Sequence, residues 1–259
     1  MSGSKNKVAV ITGGCGDIGR AIAKGLIDKE TSVVLMDILP DEKGNECINE
    51  INAAHYIKCD QKNRSELEAA FNEIKEKFNR INHVIINAAV VEKESFEDIR
   101  EENWQKQIDV NLSGSFYAAQ IATQHMLTQE PDEQGIRGKI IFTSSWVSQY
   151  PLPDALPYIV SKAGIEAMVR AMAQELSDRK IIVNAVAPGL LYAGLTKKCC
   201  EENPVFESQL EGMIPLNELG TVDQVAAMYV FLCSSAANYI TGQTINVDGG
   251  CSVIKRDKI

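Results

Sequence analysis

The sequence is poor in the residues that build metal sites and disulfide frameworks. Its 259 residues include three histidines and seven cysteines, and no two cysteines have the C-x-x-C spacing. Zinc sites and disulfide-rich folds need clustered or regularly spaced ligands. We therefore expect no metal ion, and the scattered thiols are typical of a reduced, cytoplasmic protein.

Excess positive charge and long apolar runs are also missing. Acidic residues outnumber basic ones by 35 to 26, which gives a formal net charge of −9. An acidic surface repels the phosphate backbone, so a nucleic-acid partner is disfavoured. No apolar run approaches the roughly 20 residues of a membrane span, and the first residues lack a signal-peptide pattern. We expect a protein that neither crosses a membrane nor binds DNA or RNA.

The sequence does contain a regular alternation of two kinds of segment. Short runs rich in valine and isoleucine predict buried strands at residues 8–12, 32–37, 55–59, 83–87, 139–144, 181–186 and 244–247. Longer amphipathic segments predict helices at residues 18–28, 44–52, 65–78, 102–127, 157–176 and 222–235. This alternation predicts an α/β fold: one doubly wound, Rossmann-type domain over residues 1–259, whose parallel sheet is flanked by helices on both faces.

Residues 189–220 do not fit the alternation. A long irregular segment inside a compact domain is often a lid over a site. Within this segment, the sequence predicts a short helix at residues 205–212. Because loops after the strands surround the ligand crevice of a doubly wound sheet, we expect this segment to cover the substrate.

A glycine-rich turn joins the first strand to the first helix. It reads Thr12-Gly13-Gly14-Cys15-Gly16-Asp17-Ile18-Gly19. Glycines let backbone N–H groups approach a pyrophosphate, and the helix N-terminus adds partial positive charge. At the end of the second strand, Asp37 can bind both hydroxyls of an adenosine ribose and would repel a 2′-phosphate. No Lys or Arg lies in the turn or directly after Asp37, so we predict NAD rather than NADP.

A second group of residues has the chemistry of proton transfer. Tyr158 and Lys162 stand four apart and share one face of a predicted helix. A lysine ammonium there can lower the pKa of the phenol and make it an acid or base near neutral pH. Ser145 lies at the end of the fifth strand, where its hydroxyl can hold a substrate oxygen. Asn111 lies within the preceding helix, among apolar neighbours.

These residues resemble the short-chain dehydrogenase/reductase family. The likeness runs from about residue 7 to residue 251, over the glycine-rich turn, Asp60, Asn87-Ala88-Ala89, Asn111, Ser145, Tyr158-x-x-x-Lys162, Asn184-Ala185-Val186-Ala187-Pro188-Gly189 and Asn246-Val247-Asp248-Gly249-Gly250. It implies that Tyr158 is the general acid/base, that Lys162 binds the nicotinamide ribose and tunes Tyr158, and that Ser145 orients the substrate. Asn111 would support a water-linked proton relay through Lys162.

The resemblance also implies where the cofactor binds. Asp60 would contact the adenine, Asn87 would line the cleft, and Pro188-Gly189 would begin the loop beside the nicotinamide. The expected cofactor-binding residues are Gly13, Cys15, Gly16, Asp17, Ile18, Gly19, Asp37, Asp60, Gln61, Asn87, Ala88, Tyr158, Lys162, Pro188, Gly189 and Leu191.

Three positions depart from the family pattern. Asp17 replaces the middle glycine of the turn, and its carboxylate could cap the helix that follows. Ala89 stands where the family has a glycine, which narrows the space beside the nicotinamide by a methyl group. Ala193 stands where the family has a threonine whose hydroxyl contacts the nicotinamide carboxamide. That contact is missing here unless Thr196 supplies it.

The residues expected around the substrate are mostly apolar. The family pattern gives Val90, Ser145, Val147, Tyr158, Leu190 and Tyr192, while Trp146 reaches the pocket only if the chain turns after Ser145. Such a lining favours a compact, mainly uncharged secondary alcohol or ketone. Lys197-Lys198 could attract an anionic substrate, although a solvated pair is the simpler interpretation.

We therefore predict an NAD-dependent oxidoreductase that interconverts a secondary alcohol and a ketone on a small molecule. A 3-oxoacyl thioester reductase of the same family is the alternative, but such reductases usually prefer NADPH. A non-catalytic NAD(H) sensor would not need Asn111, Ser145, Tyr158 and Lys162 together, and an enoyl reductase would need a wider Tyr–Lys spacing. Family members commonly associate through the helices at 102–127 and 157–176 and through the sheet edge near residues 244–250, so we expect a homotetramer, with a dimer as the alternative.

Overall fold

The computed structural model describes residues 7–253. Within that range, one parallel sheet contains seven strands. They are β1 (Val8–Thr12), β2 (Ser32–Asp37), β3 (His55–Lys58), β4 (His83–Ile86), β5 (Gly138–Thr143), β6 (Ile181–Pro188) and β7 (Thr244–Val247). Each lies where a short apolar run predicts it, with bounds that differ by two residues at most.

The strand order is β3-β2-β1-β4-β5-β6-β7, which confirms the doubly wound fold. Because β1 pairs with β2 on one side and with β4 on the other, the direction of winding reverses between β1 and β4. Ligands of such sheets bind at the reversal, outside the carboxyl ends of the strands. Thr12, Asp37 and Asn87 lie at or just beyond those ends.

Helices cover both faces of this sheet. In the described residues they are α1 (Asp17–Ile27), α2 (Asp41–Ile51), α3 (Arg64–Phe78), α4 (Glu101–Ile108), α5 (Gly114–Leu127), α6 (Leu156–Leu176), α7 (Gly194–Glu202), α8 (Pro204–Glu211) and α9 (Val222–Cys233). A π-helical turn, Asp109–Ser113, joins α4 to α5, so the two form the long helical segment that the sequence predicts. None of the helices in residues 7–253 is both long enough and apolar enough to cross a bilayer.

The apolar core lies on both sides of the sheet. On one side α3, α5 and α6 bury side chains such as Phe71 and Val169 against it. On the other, α1, α2 and α9 bury Ile22, Ile51 and Leu232. All five residues of β1 are buried, because a central parallel strand is covered on both faces and is therefore apolar throughout.

Residues 189–220 are more regular than the sequence predicts. The expected short helix is α8, and α7 precedes it. The sequence pattern does not reveal α7 because its Thr-Lys-Lys-Cys-Cys-Glu-Glu stretch has no apolar stripe and its N-cap, Ala193, offers no capping side chain. A β-bridge between Leu191 and Gly220 brings the two ends of the segment together.

Candidate active site

A cavity of about 660 Å³ opens at the carboxyl ends of the central strands. This volume is typical of small-molecule and cofactor sites. Most of the predicted site residues line it: Gly13, Gly16, Asp17, Ile18, Asp37, Asp60, Gln61, Asn87, Ala88, Val90, Ser145, Tyr158, Lys162, Pro188, Gly189, Leu190 and Leu191. The structure therefore brings together residues that lie up to 178 positions apart in the sequence.

Asp37 fastens the glycine-rich turn to the end of β2. Its Oδ2 accepts a hydrogen bond from the backbone N–H of Cys15 at 3.0 Å, and its Oδ1 accepts one from Leu39 at 3.4 Å. Arg20, the first basic residue after the turn, is paired with Glu50 of α2. The Asp37 carboxylate thus lies in the cavity wall, and the first cation after the glycine-rich turn is already paired.

Close backbone packing shapes the glycine-rich turn. Gly13 has a φ of +61°, and a Cβ there would lie 2.7 Å from the Cα of Ala88. A Cβ on Gly19 would lie 2.5 Å from the carbonyl oxygen of Gly13. Gly19 therefore packs α1 against the turn. Contrary to the expectation, neither Gly19 nor Cys15 lines the cavity. A Cβ on Gly16 would make only an ordinary contact, 3.5 Å from the carbonyl oxygen of Gly13. The turn, the start of α1 and the Asp37 carboxylate fit a dinucleotide with a free ribose diol.

Asp17 makes a contact that the sequence does not reveal. The expectation that it caps α1 is wrong, because the N-cap is Gly16 and no side chain accepts a capping hydrogen bond from the first turn of α1. Instead, Asp17 Oδ2 accepts a hydrogen bond from the backbone N–H of Gly194 at 2.8 Å. The carboxylate therefore links the glycine-rich turn to the first residue of α7, in the segment that borders the cavity.

Asn87 is held between two strand ends. Its Nδ2 donates to the carbonyl of Gly13 at 3.1 Å, while its Oδ1 accepts a hydrogen bond from the hydroxyl of Thr143 at 3.1 Å. Its backbone N–H donates to the hydroxyl of Thr12 at 3.0 Å. Thr12 and Thr143 also line the cavity and were not among the predicted site residues. Their position at the last residue of β1 and of β5 is the signal that could have identified them.

Tyr158 and Lys162 lie on one face of α6, as the sequence predicts. Lys162 is only 1% exposed; its Nζ donates to the carbonyl of Thr143 at 2.7 Å and lies 5.5 Å from the centre of the Tyr158 ring. Burial lowers the pKa of Lys162 to about 7. The buried surroundings raise the pKa of Tyr158, and a hydrogen bond from Ser145 lowers it in part. The sequence predicts that Lys162 lowers the pKa of the phenol. In the structure Ser145 is the group that lowers it.

Asn111 lies behind the cavity wall and not in it. It is fully buried in the π-helical turn, where its Oδ1 accepts from the backbone N–H of Val90 and its Nδ2 donates to the carbonyl of Val90, both at 2.8 Å. Its Nδ2 also lies 3.3 Å from the hydroxyl of Ser161. Irregular π turns often occur at functional sites. The amide therefore fixes the segment after β4 that carries Val90 into the cavity.

Two predicted substrate residues do not line the cavity. Val147 is buried with Trp146 in a third apolar cluster, which packs against Tyr158 and Leu190 from behind the cavity wall. Tyr192 is 37% exposed, and its ring faces the ammonium of Lys197 at 6.0 Å. Neither lines the cavity, whose wall includes instead Val91, Val110, Thr196 and Lys106, the last paired with Glu92. No cluster of metal-ligating side chains occurs in the part of the chain that the structure describes.

Comparisons with known proteins cover nearly the whole chain. A family model described as Enoyl-(Acyl carrier protein) reductase matches residues 15–252. A 3-oxoacyl-acyl-carrier-protein reductase, FabG, of Staphylococcus aureus is 33% identical over 248 residues, which are 94% of this chain and 97% of that protein. An NAD-dependent glycerol dehydrogenase of Listeria innocua is also 33% identical, over 96% of this chain and 94% of the relative.

Solved structures give the same likeness. The 3-ketoacyl-(acyl-carrier-protein) reductase of Brucella melitensis, whose crystal structure is a complex with NADH, superimposes with a TM-score of 0.87. It is 25% identical in sequence, and the match covers 95% of this chain and 98% of that one. The similarity therefore extends over nearly the whole fold.

Proposed function

Because the chain belongs to the short-chain dehydrogenase/reductase family, we propose that it interconverts a secondary alcohol and a ketone with NAD(H). The chain is thus an oxidoreductase that acts on CH–OH groups, and the proposal concerns its cofactor and its substrate. One observation carries it: Ser145, Tyr158 and Lys162 lie in the wall of the same cavity as the Asp37 carboxylate. Ser145, Tyr158 and Lys162 suit proton transfer at a substrate oxygen. The Asp37 carboxylate suits a ribose without a 2′-phosphate.

Three side chains perform the proton chemistry in this proposal. A bound nicotinamide dinucleotide supplies or takes up the hydride. Tyr158 Oη gives a proton to the ketone oxygen, or removes one from the alcohol, and the Ser145 hydroxyl holds that oxygen beside the phenol. Because its pKa is about 7, Lys162 can gain or lose a proton at physiological pH and can restore the proton of Tyr158.

The preference for NAD over NADP follows from charge. A carboxylate accepts hydrogen bonds from two ribose hydroxyls, whereas a 2′-phosphate in the same place would bring two anions together. The pairing of Arg20 with Glu50 supports this preference, because that guanidinium is engaged with a carboxylate of α2. The name of the NAD-dependent glycerol dehydrogenase and the NADH in the Brucella melitensis structure are consistent with it.

The substrate end of the cavity supports a compact, mainly uncharged substrate. Val90, Val91 and Leu190 are apolar, and Lys106, which lines the wall near them, is paired with Glu92. Lys197, which the sequence offers as an anion-binding residue, faces Glu201 at 3.9 Å instead. The second candidate is a 3-oxoacyl thioester reductase, which the likeness to FabG favours. The spacing of Tyr158 and Lys162 argues against enoyl reduction, the activity in the description of the family model.

We also propose how the chain is organised. Residues 1–259 form a single NAD-binding domain, in which the segment 189–220 acts as the substrate lid. The exposed side chains of Phe116 on α5 and Val160 on α6 support association into a tetramer through these helices. All seven cysteines are free thiols, which supports a reducing compartment such as the cytoplasm.

A panel of substrates tests the proposed reaction. Cyclic and aromatic secondary alcohols, polyols, hydroxyacyl thioesters and phosphorylated sugars are each mixed with NAD+, and NADH formation is followed at 340 nm. We expect turnover of one or more uncharged alcohols. Turnover of thioesters alone would favour the second candidate, and turnover of phosphorylated sugars alone would contradict the apolar substrate site. If NADH binds but no compound is turned over, the chain is a sensor and the proposal is wrong.

A further inference from the structure

Glu166 is a buried carboxylate beside the active site. It lies on α6, one helical turn beyond Lys162, and is 8% exposed. No ion pair in the described residues involves it: those found join other side chains, all at the surface. Burying a carboxylate costs stability unless hydrogen bonds replace its hydration. The position of Glu166 therefore depends on its hydrogen-bond donors.

All of its side-chain donors come from one short segment. Oε1 of Glu166 accepts hydrogen bonds from the hydroxyl of Ser144 at 3.0 Å and from the hydroxyl of Ser148. Oε2 lies 3.4 Å from Nε2 of Gln149. Hydrogen bonds to an ionised carboxylate are stronger than those between neutral groups. Residues 144–149 are thus attached to α6 at two strong points and one weak one.

The attached segment carries Ser145. Ser144 precedes it, and Ser148 closes a tight turn over it, with its backbone N–H donating to the carbonyl of Ser145 at 3.1 Å. Ser145 and Tyr158, which also lies on α6, line the same cavity, and Ser145 is close enough to lower the pKa of the Tyr158 phenol in part. The segment therefore meets the same rigid helix at two places, once through Glu166 and once through the catalytic pair.

We propose that Glu166 is a positioning residue, which holds the 144–149 segment on α6 so that the Ser145 hydroxyl stays aligned with the Tyr158 hydroxyl. The inference rests on the proposed function, because alignment of these hydroxyls matters only where they share a substrate oxygen. Glu166 touches neither the cavity nor the reacting atoms. A shift of about 1 Å in a reacting group can reduce turnover by about 100-fold, so a tether at this point has kinetic consequences.

The structure provides a conservative variant and a disruptive one. Both serine hydroxyls bind the same oxygen, Oε1, so Glu166→Gln keeps that acceptor and changes only the group that faces Gln149. Glu166→Ala removes both acceptors. We expect kcat to fall by about 10- to 100-fold in Glu166→Ala and by no more than about threefold in Glu166→Gln, with the Kd for NADH unchanged in both. Glu175→Ala, at an exposed position of the same helix, is the matched control.

A double-mutant cycle separates positioning from general damage. If Glu166 acts through Ser145, adding Glu166→Ala to Ser145→Ala should reduce kcat by about threefold at most, because the aligned hydroxyl is already gone. If the two losses multiply in full, Glu166 acts elsewhere and the proposal is overturned. Equal losses in Glu166→Gln and Glu166→Ala would overturn it as well, because the retained oxygen would then have no effect.

Hydrogen exchange tests the tether without any turnover. The backbone amides of Ser148, Gln149 and Tyr150 donate within the turn, to the carbonyls of Ser145 and Trp146. We expect their exchange to be at least about tenfold faster in Glu166→Ala than in the wild type, and near the wild-type rate in Glu166→Gln. Unchanged exchange in Glu166→Ala contradicts the tether. Should Glu166→Ala fail to fold, Ser148→Ala serves instead, because it removes one of the hydroxyls that donate to Glu166. We then expect the same faster exchange and the same fall in kcat in Ser148→Ala. If the wild type turns over no substrate, the proposed function fails, and the exchange rates still decide whether the tether exists.

Discussion

The ammonium nitrogen of Lys162 lies 5.5 Å from the centre of the Tyr158 ring, one helical turn away, and is almost completely shielded from solvent. A buried ammonium loses its hydration, which disfavours the charged form and lowers the pKa of Lys162 to about 7. In the unfolded chain the same side chain returns to its ordinary pKa of 10.5. The buried lysine that suits proton transfer therefore also lowers the stability of the folded protein.

Replacing this lysine should stabilise the fold. Between pH 7 and 10.5 the unfolded chain binds the Lys162 proton and the folded chain does not, so wild-type stability rises with pH through this window. Lys162→Met removes the penalty, which is largest at and below pH 7. We expect its melting temperature to exceed that of the wild type by about 2–4 °C at pH 6, and by progressively less towards pH 10. Lys24→Met, at an exposed position of α1, is the control; a lower melting temperature for Lys162→Met at pH 6 would contradict the burial argument.

The phenol of Tyr158 should be required for turnover and not for cofactor binding. Tyr158→Phe keeps the ring and removes the proton donor, so kcat should fall by about two to four orders of magnitude. The Kd for NADH, measured by fluorescence titration, should stay within about twofold. Tyr239→Phe, at a fully exposed tyrosine, should behave as the wild type. Near-normal turnover in Tyr158→Phe would refute the role assigned to this residue.

The two directions of the reaction should respond differently to pH. Alcohol oxidation needs the ionised form of Tyr158, and burial raises the pKa of this residue above its ordinary value of 10. The kcat for oxidation should therefore increase up to about pH 10 without a plateau, by as much as about tenfold per pH unit where proton transfer is rate-limiting. Ketone reduction needs the protonated form, which predominates over the same range, so its rate should not increase with pH. Rate profiles from pH 6 to 10 provide the measurement, and an oxidation rate that levels off at pH 7 would contradict the raised pKa.

The negative charge of Asp17 should weaken cofactor binding, although its carboxylate also forms a hydrogen bond with the first residue of α7. Its carboxylate accepts a hydrogen bond from the backbone N–H of Gly194 and also lines the cavity, beside the turn that we expect to bind the pyrophosphate. Asp17→Asn keeps an oxygen acceptor for Gly194 and removes the charge, so NADH should bind about three- to tenfold more tightly, equivalent to about 1 kcal/mol. The gain should shrink in 0.5 M salt, because added ions screen the repulsion. Asp28→Asn, at the exposed end of α1, should have no effect; equal affinity in Asp17→Asn and the wild type would show that the charge does not reach the cofactor.

The parts of the molecule that the sequence predicts are those with local signals. A parallel strand covered on both faces must be apolar along its length, so runs such as Val8–Thr12 indicate both the strand and its burial. Asp37 was predictable because it ends the second such strand, which follows the glycine-rich turn and the first helix. Tyr158 and Lys162 were predictable because a spacing of four places them on one face of α6.

The parts that the sequence does not predict depend on distant partners. The acceptor role of Asp17 requires Gly194, 177 residues later. Glu166 has the pattern of a solvated helix residue, but it is buried, and its side-chain hydrogen-bond donors come from residues 144–149, about twenty positions earlier. The family pattern places Val147 and Tyr192 at the substrate, but the chain turns at Trp146 and the Tyr192 ring faces Lys197.

The preference between the two dinucleotides tests the central proposal most directly. The measurement is the ratio of kcat/KM with NAD+ to kcat/KM with NADP+, for the best alcohol of the substrate panel, in the wild type and in Asp37→Ser. Because Asp37 should bind a ribose diol and repel a 2′-phosphate, we expect a wild-type ratio of at least about ten, which corresponds to about 1.4 kcal/mol, and a smaller ratio in the variant. A ratio of one or below in the wild type would contradict NAD-dependent oxidoreduction at this site.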